Sequence, residues 1–340
     1  GWQADRATWW SGCRAGLRAP DARTIISYVM SAVPQSEVPA LSAAVRAALE
    51  QGRPVVALES TIISHGLPRP ANLAAALSFE ALLTQSGVTP ATIALIDGVP
   101  KAGLSAADLE RIALDESALK VSSRDLGLAM AAKRTGGTTV AATSVLAARA
   151  GIRVFATGGL GGVHRGYGES FDESADLTVL SRTAITVVSA GVKSILDIPA
   201  TLERLETLGV AVVGYRTSRF PAFYLTDSGH DLDWRVDSPD EVAAAMAARD
   251  VVGDASALLV GNPLPVDKQL DPDLHDRVLA ESLIAASAAG IRGKAVTPFL
   301  LDYMQRATGG ASAAVNLDVA RGNIAVAGEI ATAWSALARG

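Results

Sequence analysis

Cysteine is all but absent. The single thiol, Cys13, has no partner with which to close an intrachain disulfide, and zinc–thiolate sites or thiol catalysis are excluded with it. A reducing cytoplasm fits this usage best. Lysine is scarce too: of 30 basic residues only six are lysine, namely Lys101, Lys120, Lys133, Lys193, Lys268 and Lys294. Arginine keeps its proton at any ordinary pH, whereas a desolvated lysine can become a neutral amine that attacks carbon. Each lysine in apolar company is therefore a candidate. An excess of positive charge is also missing. The net charge of −5 and an isoelectric point near 5.5 argue against a general binder of nucleic acid or membrane surfaces, which usually carries a cationic field. No uninterrupted apolar run reaches membrane-spanning length, which predicts a soluble protein. What is present is globular: 340 residues, 49% hydrophobic and 19% charged, ample for one large domain or two ordinary ones.

Residues 1–29 differ from the rest, holding three of the five tryptophans and the only cysteine without a regular apolar period. They read as a poorly ordered extension, or alternatively as an arginine-bearing targeting peptide. From Met30 onward, apolar runs alternate with helix-period segments. Strands are expected at Val55–Leu58, Thr92–Ile96, Leu119–Ser122, Val154–Thr157, Ile185–Ser189, Val210–Tyr215 and Ala257–Val260. Helices fit between them, and the carboxy-terminal part, from Asp273 on, is helical. Continuous rather than alternating apolar strands imply a sheet covered on both faces. The expected fold is a three-layer α/β/α architecture with a largely parallel or mixed central sheet, as one domain over residues 30–340. In such sheets ligands collect at the carboxy ends of strands. There the motifs "EST", "GVPKAG", "SSRD", "TGGLGGVHRG" and "GVKS" would converge.

Lys193 sits beside Val192, Ile195 and Leu196. Burial there, with another ammonium nearby, would favour the neutral amine; freeing a lysine of its proton at neutral pH costs about 4–5 kcal/mol. Such an amine forms an imine with a sugar aldehyde. Lys193 is also compatible with a strand-end ion pair to Asp197. Glu59 ends the strand "VVALES", where desolvation raises a carboxyl pKa and suits a general acid; a structural capping role fits it as well. His65 in "ISHGLP" either orients a substrate or bonds locally. The glycine cluster around His164 and Arg165 lets backbone N–H groups approach an anion, or forms a lid. Counting from Gly159 puts His164 where the third glycine of a dinucleotide fingerprint belongs, so a nucleotide cofactor is poorly supported. In "FDESAD", an extended segment would point Asp172 and Asp176 the same way, and such oxygen ligands suit Mg²⁺ or Mn²⁺; a solvated turn is the alternative. Lys120 and Arg124 are candidate phosphate holders. Asn316, in a helical stretch, either offers its amide to the edge of a flat polar ring or is an ordinary surface residue.

Taken in order, "VVALESTIISHGLPRPAN", "PATIALIDGVPKAGLS", "KVSSRDL", "GGTTVAATSVLAARAGIRVFATGGLGGVHRG", "SFDESADL", "VVSAGVKSILD", "GNPLP", "GKAVTPFLL" and "TGGASAAVNLDVARGNIAVAGEIA" resemble the pseudouridine-5′-phosphate glycosidase family from about residue 40 to the carboxy terminus. The resemblance implies reversible cleavage of pseudouridine 5′-phosphate to uracil and ribose 5-phosphate by a homotrimer assisted by a divalent metal, usually Mn²⁺. It implies that Glu59 is the proton donor and Lys193 the covalent nucleophile. It places Lys120, Val140 and the run Ser174, Ala175 and Asp176 at substrate contacts, and Asp172 at the metal. His164 and Asn316 join them as substrate-binding candidates. Two rival readings use the same residues: another Schiff-base enzyme, such as an aldolase-like lyase on a phosphosugar, or a non-catalytic phosphosugar-binding protein.

Overall fold

The run VVAL at residues 55–58 is buried at every position, which a strand sustains only when both faces of its sheet are covered. A computed structural model describes residues 38–292 and 295–339. Cys13, Lys294 and the extension expected over residues 1–29 lie outside them. The strands are β1 (Ala40–Leu41), β2 (Val55–Leu58), β3 (Thr89–Ile96), β4 (Val99–Ala102), β5 (Leu119–Val121), β6 (Gly136–Thr138), β7 (Val154–Ala156), β8 (Thr186–Ser189), β9 (Ala211–Tyr215), β10 (Arg235–Val236) and β11 (Leu258–Gly261). They form one sheet in the order β1-β4-β3-β2-β7-β8-β11-β9-β10, with β5 and β6 attached beside β3. Neighbours from β3 through β2, β7, β8, β11, β9 and β10 run parallel. Only β4 and β6 pair antiparallel, both with β3. The expected mixed, largely parallel sheet is therefore present.

Alternation along β2 splits its side chains between two cores. Val55 and Ala57 join Phe155, Val187 and Leu259 on one face, packed with the helices Val140–Arg149 and Ala175–Leu180. Val56 and Leu58 join Val154, Val188 and Val260 on the other, under the helices Ala71–Gln85, Pro239–Val251 and Ala311–Leu337. Burying a side chain the size of Phe155 contributes about 1.5–3 kcal/mol. Helix ends are set by short polar residues as expected. Ser105 and Asp108 form a reciprocal capping box, and the Asp197 carboxylate accepts from Ala200 N–H to start the helix Ile198–Thr207. Asp197 is thus a cap and not the ion-pair partner of Lys193. Among the described residues, no helix is long and apolar enough to cross a membrane.

Two local expectations need correction. "GVPKAG" does not join the strand-end mouth: Asp97 and Gly98, at φ 49° and 80°, make a two-residue turn of the kind Asp-Gly favours. The chain folds back as β4, and Lys101 pairs with Asp108 at 2.8 Å. "FDESAD" is not one extended segment. Ser174 caps a helix that begins at Ala175, so Asp172 lies in a loop and Asp176 in a helical first turn.

The ends of β7 and β8 continue into loops that stay paired. Leu160 and Val192 form a parallel bridge, and the N–H of Lys193 donates to Leu160 O at 3.1 Å. Gly191 makes this turn possible, with φ +80° and a face pressed against the Pro221 carbonyl. A Cβ there would be both strained and obstructed. Gly191→Ala is expected to lower unfolding stability by more than about 1 kcal/mol, read as a lower urea midpoint at unchanged slope; a parental midpoint would mean that the turn relaxes freely.

Candidate active site

Adjacent strands end level with one another, and the residues that follow them line one cleft. Leu58 pairs with Ala156, and Ala156 with Val188, so Glu59 and Thr157 emerge side by side. The cleft has two lobes. A polar lobe of about 310 Å³ is lined by Glu59, Lys120, Val140, His164, Asp172, Ser174, Ala175, Asp176 and Lys193, with Ser122, Arg124, Asp125, Thr139 and Glu173. A smaller, mainly apolar lobe of about 60 Å³ is lined by Ile62, His65, Gly158, Gly159, Phe223, Pro298, Leu301 and Asn316. Glu59, Thr61, Lys120, Lys193 and Thr297 face both. Every residue to which the resemblance assigns a catalytic, substrate or metal role borders one lobe or the other.

Glu59 accepts a hydrogen bond from the Thr157 hydroxyl. Burial pushes its carboxyl above the ordinary range; the nearby Lys193 ammonium is the strongest opposing influence, followed by the Thr157 bond, while Asp176 adds to the rise and Lys120 opposes it. Desolvation wins because removing a carboxylate from water costs more than partial pairing returns. Lys193 is half-buried between fully enclosed neighbours, Val192 and Ser194. Lys120 is a second lysine facing both lobes.

His164 is held below its ordinary value by burial, against the opposing pull of the Asp172 carboxylate 3.9 Å from Nδ1 and with Lys120 lowering it further. Its imidazole is thereby biased toward the uncharged form. Arg165 borders neither lobe. The glycine loop itself bonds inward: Gly161 N–H donates to Asp176 Oδ2 at 2.8 Å, while Asp176 Oδ1 accepts from Ala141 N–H at 2.9 Å. Asp176 thus ties the glycine loop to the first turn of the helix Val140–Arg149, and that glycine N–H is not available to an anion. His65, exposed on the rim, is lowered by partial burial, then by Lys120 and Arg69, and its Nδ1 lies 2.7 Å from Ser64 Oγ.

Sequence reasoning overlooked several residues. Thr157 holds Glu59, and Asn323 Nδ2 donates to the carbonyls of Thr157 at 2.8 Å and Gly158 at 3.1 Å, its own Oδ1 accepting from Asn262 at 3.0 Å. The Thr61 hydroxyl is enclosed without a hydrogen-bond partner among the described residues. The motifs "GNPLP" and "ARGNIAVAG" contained both asparagines, but nothing in their spacing signals the contact. Among the described residues, no group of three or more histidine, cysteine or acidic side chains could hold a metal. The Asp172 carboxylate, 31% exposed toward the polar lobe, fits a hard cation that keeps most of its water and takes one protein carboxylate.

Fold and cleft together define an α/β protein with a buried acid after β2 and a lysine in the loop after β8, parallel strands that flank β7. The chain belongs to the indigoidine synthase A like protein family, whose model matches residues 44–333. A pseudouridine-5′-phosphate glycosidase of Frankia alni is 64% identical over 87% of this chain and 82% of its own. One of Saccharopolyspora erythraea is 59% identical over 88% and 98% respectively. The prealnumycin C-glycosynthase AlnA, solved in complex with ribulose 5-phosphate, is similar with a TM-score of 0.82 and 37% identity, over 88% of this chain and 97% of that one. The family resemblance carried by the sequence motifs is borne out.

The raised carboxyl of Glu59 has a stability consequence. Its folded pKa lies above the unfolded value, so its contribution is fully present below the ordinary carboxylate range and is lost as pH rises through the folded pKa. Glu59→Gln should therefore match the parent protein's thermal midpoint in acid and exceed it increasingly toward neutrality. A constant offset across that range would contradict the raised pKa.

Proposed function

We propose that the protein reversibly cleaves the carbon–carbon glycosidic bond of pseudouridine 5′-phosphate, yielding uracil and ribose 5-phosphate, with Lys193 as covalent nucleophile and Glu59 as proton donor. The observation that carries this reading is the presence, in one cleft, of a carboxyl kept protonatable by burial and of Lys193, the charge that acts on it most strongly. A carbon–carbon link cannot be broken by protonating a leaving heteroatom, so the paired-carboxylate route of O-glycosidases does not serve. An amine at C1′ does serve. Lys193 nitrogen bonds to C1′ as the C1′–O4′ bond breaks, and Glu59 delivers its proton to O4′. The attached nitrogen gives a proton back to the Glu59 carboxylate, and its lone pair then forms the C1′=N bond of a protonated imine as the C1′–C5 bond breaks, the bonding pair passing to the uracil ring, whose C5 takes up a proton. Water adds to the imine, restoring the amine and releasing ribose 5-phosphate.

The two lobes divide the substrate. Phe223 and Asn316 suit a flat heterocycle with polar edges, and the polar lobe suits the phosphosugar, with Lys120, Arg124, His164 and the first turn at Val140 around it. Ser174 and Ala175 line the sugar side, while Asp176 keeps that wall in place. An aldolase-like lyase would use Lys193 but would have no need for the lobe at Phe223 and Asn316. Asp172 would hold the divalent ion, Mn²⁺ in this reading, which supplies positive charge and ordered water beside the sugar oxygens. We further infer one catalytic domain, assembled as a homotrimer in the cytoplasm.

Incubation with ribose 5-phosphate and borohydride should place a stable adduct on Lys193; a label on another residue, or none at saturating sugar, would overturn the imine route. Glu59→Gln should lower kcat by about 10²–10⁴-fold in an assay of uracil release followed by chromatography. Chelation should abolish uracil release and Mn²⁺ restore it, whereas full turnover after rigorous demetallation would remove Asp172 from the metal role.

A further inference from the structure

The turn that carries Lys193 is also held from the side facing away from the cleft. Ser194, 2% exposed, follows the lysine directly. Its Oγ lies 2.9 Å from Nε2 of His275, which is 4% exposed and projects from the helix Pro272–Ala288. The other ring nitrogen, Nδ1, lies 2.9 Å from Asp276 Oδ1. A carboxylate only accepts, so Nδ1 is the donor, and in the neutral ring Nε2 then accepts the Ser194 hydroxyl proton. Tyr224 packs edge-on against the imidazole, ring centroids 6.3 Å apart.

Serine, histidine and aspartate in line are the parts of a hydrolytic relay, but this one has no access to substrate. Neither Ser194 nor His275 borders either lobe of the cleft, and both are enclosed. A nucleophilic role is therefore closed to Ser194, and what remains is its position one residue from the reacting amine. The main chain of Lys193 is already tied on its own account: its N–H donates to Leu160 O at 3.1 Å and its carbonyl accepts from Leu196 N–H at 2.9 Å. The Ser194–His275 bond adds the next residue to that clamp and anchors it to an outer helix.

We propose that His275 and Ser194 form a positioning pair that fixes the Cα of Lys193, so that its amine meets the sugar carbon in a reactive alignment. This inference rests on the nucleophilic role of Lys193 proposed above. A displacement of about 1 Å in a reacting group costs on the order of 10²-fold in rate, so the pair acts on turnover rather than on substrate affinity.

The test uses full-length Ser194→Ala, His275→Phe, His275→Gln and Lys193→Ala proteins, with kcat and KM for pseudouridine 5′-phosphate and the rate of borohydride trapping of ribose 5-phosphate as readouts. Ser194→Ala and His275→Phe are expected to lower kcat and the trapping rate about 10–100-fold with KM nearly unchanged. The double variant should be no worse than either single one, and His275→Gln, which keeps a polar nitrogen near Ser194, should recover most of the loss. Should His275→Phe fail to fold, the smaller Ser194→Ala change decides. Parental kcat in folded Ser194→Ala, or a loss confined to KM or thermal midpoint, overturns the positioning role. If Lys193→Ala still turns over, the nucleophile assignment itself fails; an inactive Lys193→Ala beside a parental Ser194→Ala sinks only the pair.

Discussion

The register between β2, β7 and β8 is the constraint on which the rest depends. Parallel neighbours lie about 4.8 Å apart, and the pairing of Leu58 with Ala156 and of Ala156 with Val188 makes β2 and β7 end at one level, with β8 one residue longer. The next residues, Glu59 and Thr157, are then close enough for the threonine to bond the acid. β8 continues through Ser189 into a loop that runs alongside the glycine loop, joined to it by the parallel Leu160–Val192 bridge, and so brings Lys193 to the same opening. A slip of one residue in either pairing would send Glu59 or Thr157 to the opposite face of the sheet.

Holding an acid there has an energetic cost. Glu59 loses water that the Lys193 charge and the Thr157 hydroxyl replace only in part, and the surrounding structure supports the arrangement from both sides. Behind Thr157, the amide of Asn323 binds the carbonyls of Thr157 and Gly158 and is itself held by Asn262. This anchors the strand end to the long helix Ala311–Leu337. In front, Asp176 spends both carboxylate oxygens on backbone N–H groups of Ala141 and Gly161. Preorganised groups of this kind give up conformational freedom on folding, so no reorganisation is needed when charge moves during reaction.

Much of this was legible in the residues themselves. β2 falls where its apolar pattern puts it, because a continuous apolar run leaves little choice but a strand covered on both faces. Lys193 and Glu59 stood out because a scarce lysine and a strand-end carboxylate both lie next to apolar runs. The glycine cluster was misread in part: small residues permit close approach, but the sequence does not say whether a ligand or another protein segment approaches, and at Gly161 it is Asp176. The β4 hairpin was visible in Asp97-Gly98 and went unread, since attention to polar residues after a strand favoured a binding loop over a turn. His275 carried no signal at all, lying 81 residues from Ser194.

The sequence by itself indicated most of the central strands, that the sheet is covered on both faces, and which lysine and carboxylate stand beside apolar runs. These follow from local periodicity and from residue chemistry that does not depend on distant neighbours. Only the tertiary structure decided who supports them: Thr157 and Asn323 behind Glu59, Asp176 as a tie between the glycine loop and the helix Val140–Arg149, a His164 biased toward its uncharged form, and His275 behind the lysine turn. Such roles depend on burial and on contacts between residues far apart along the chain, and both come into being only when strand register and helix packing bring those residues together.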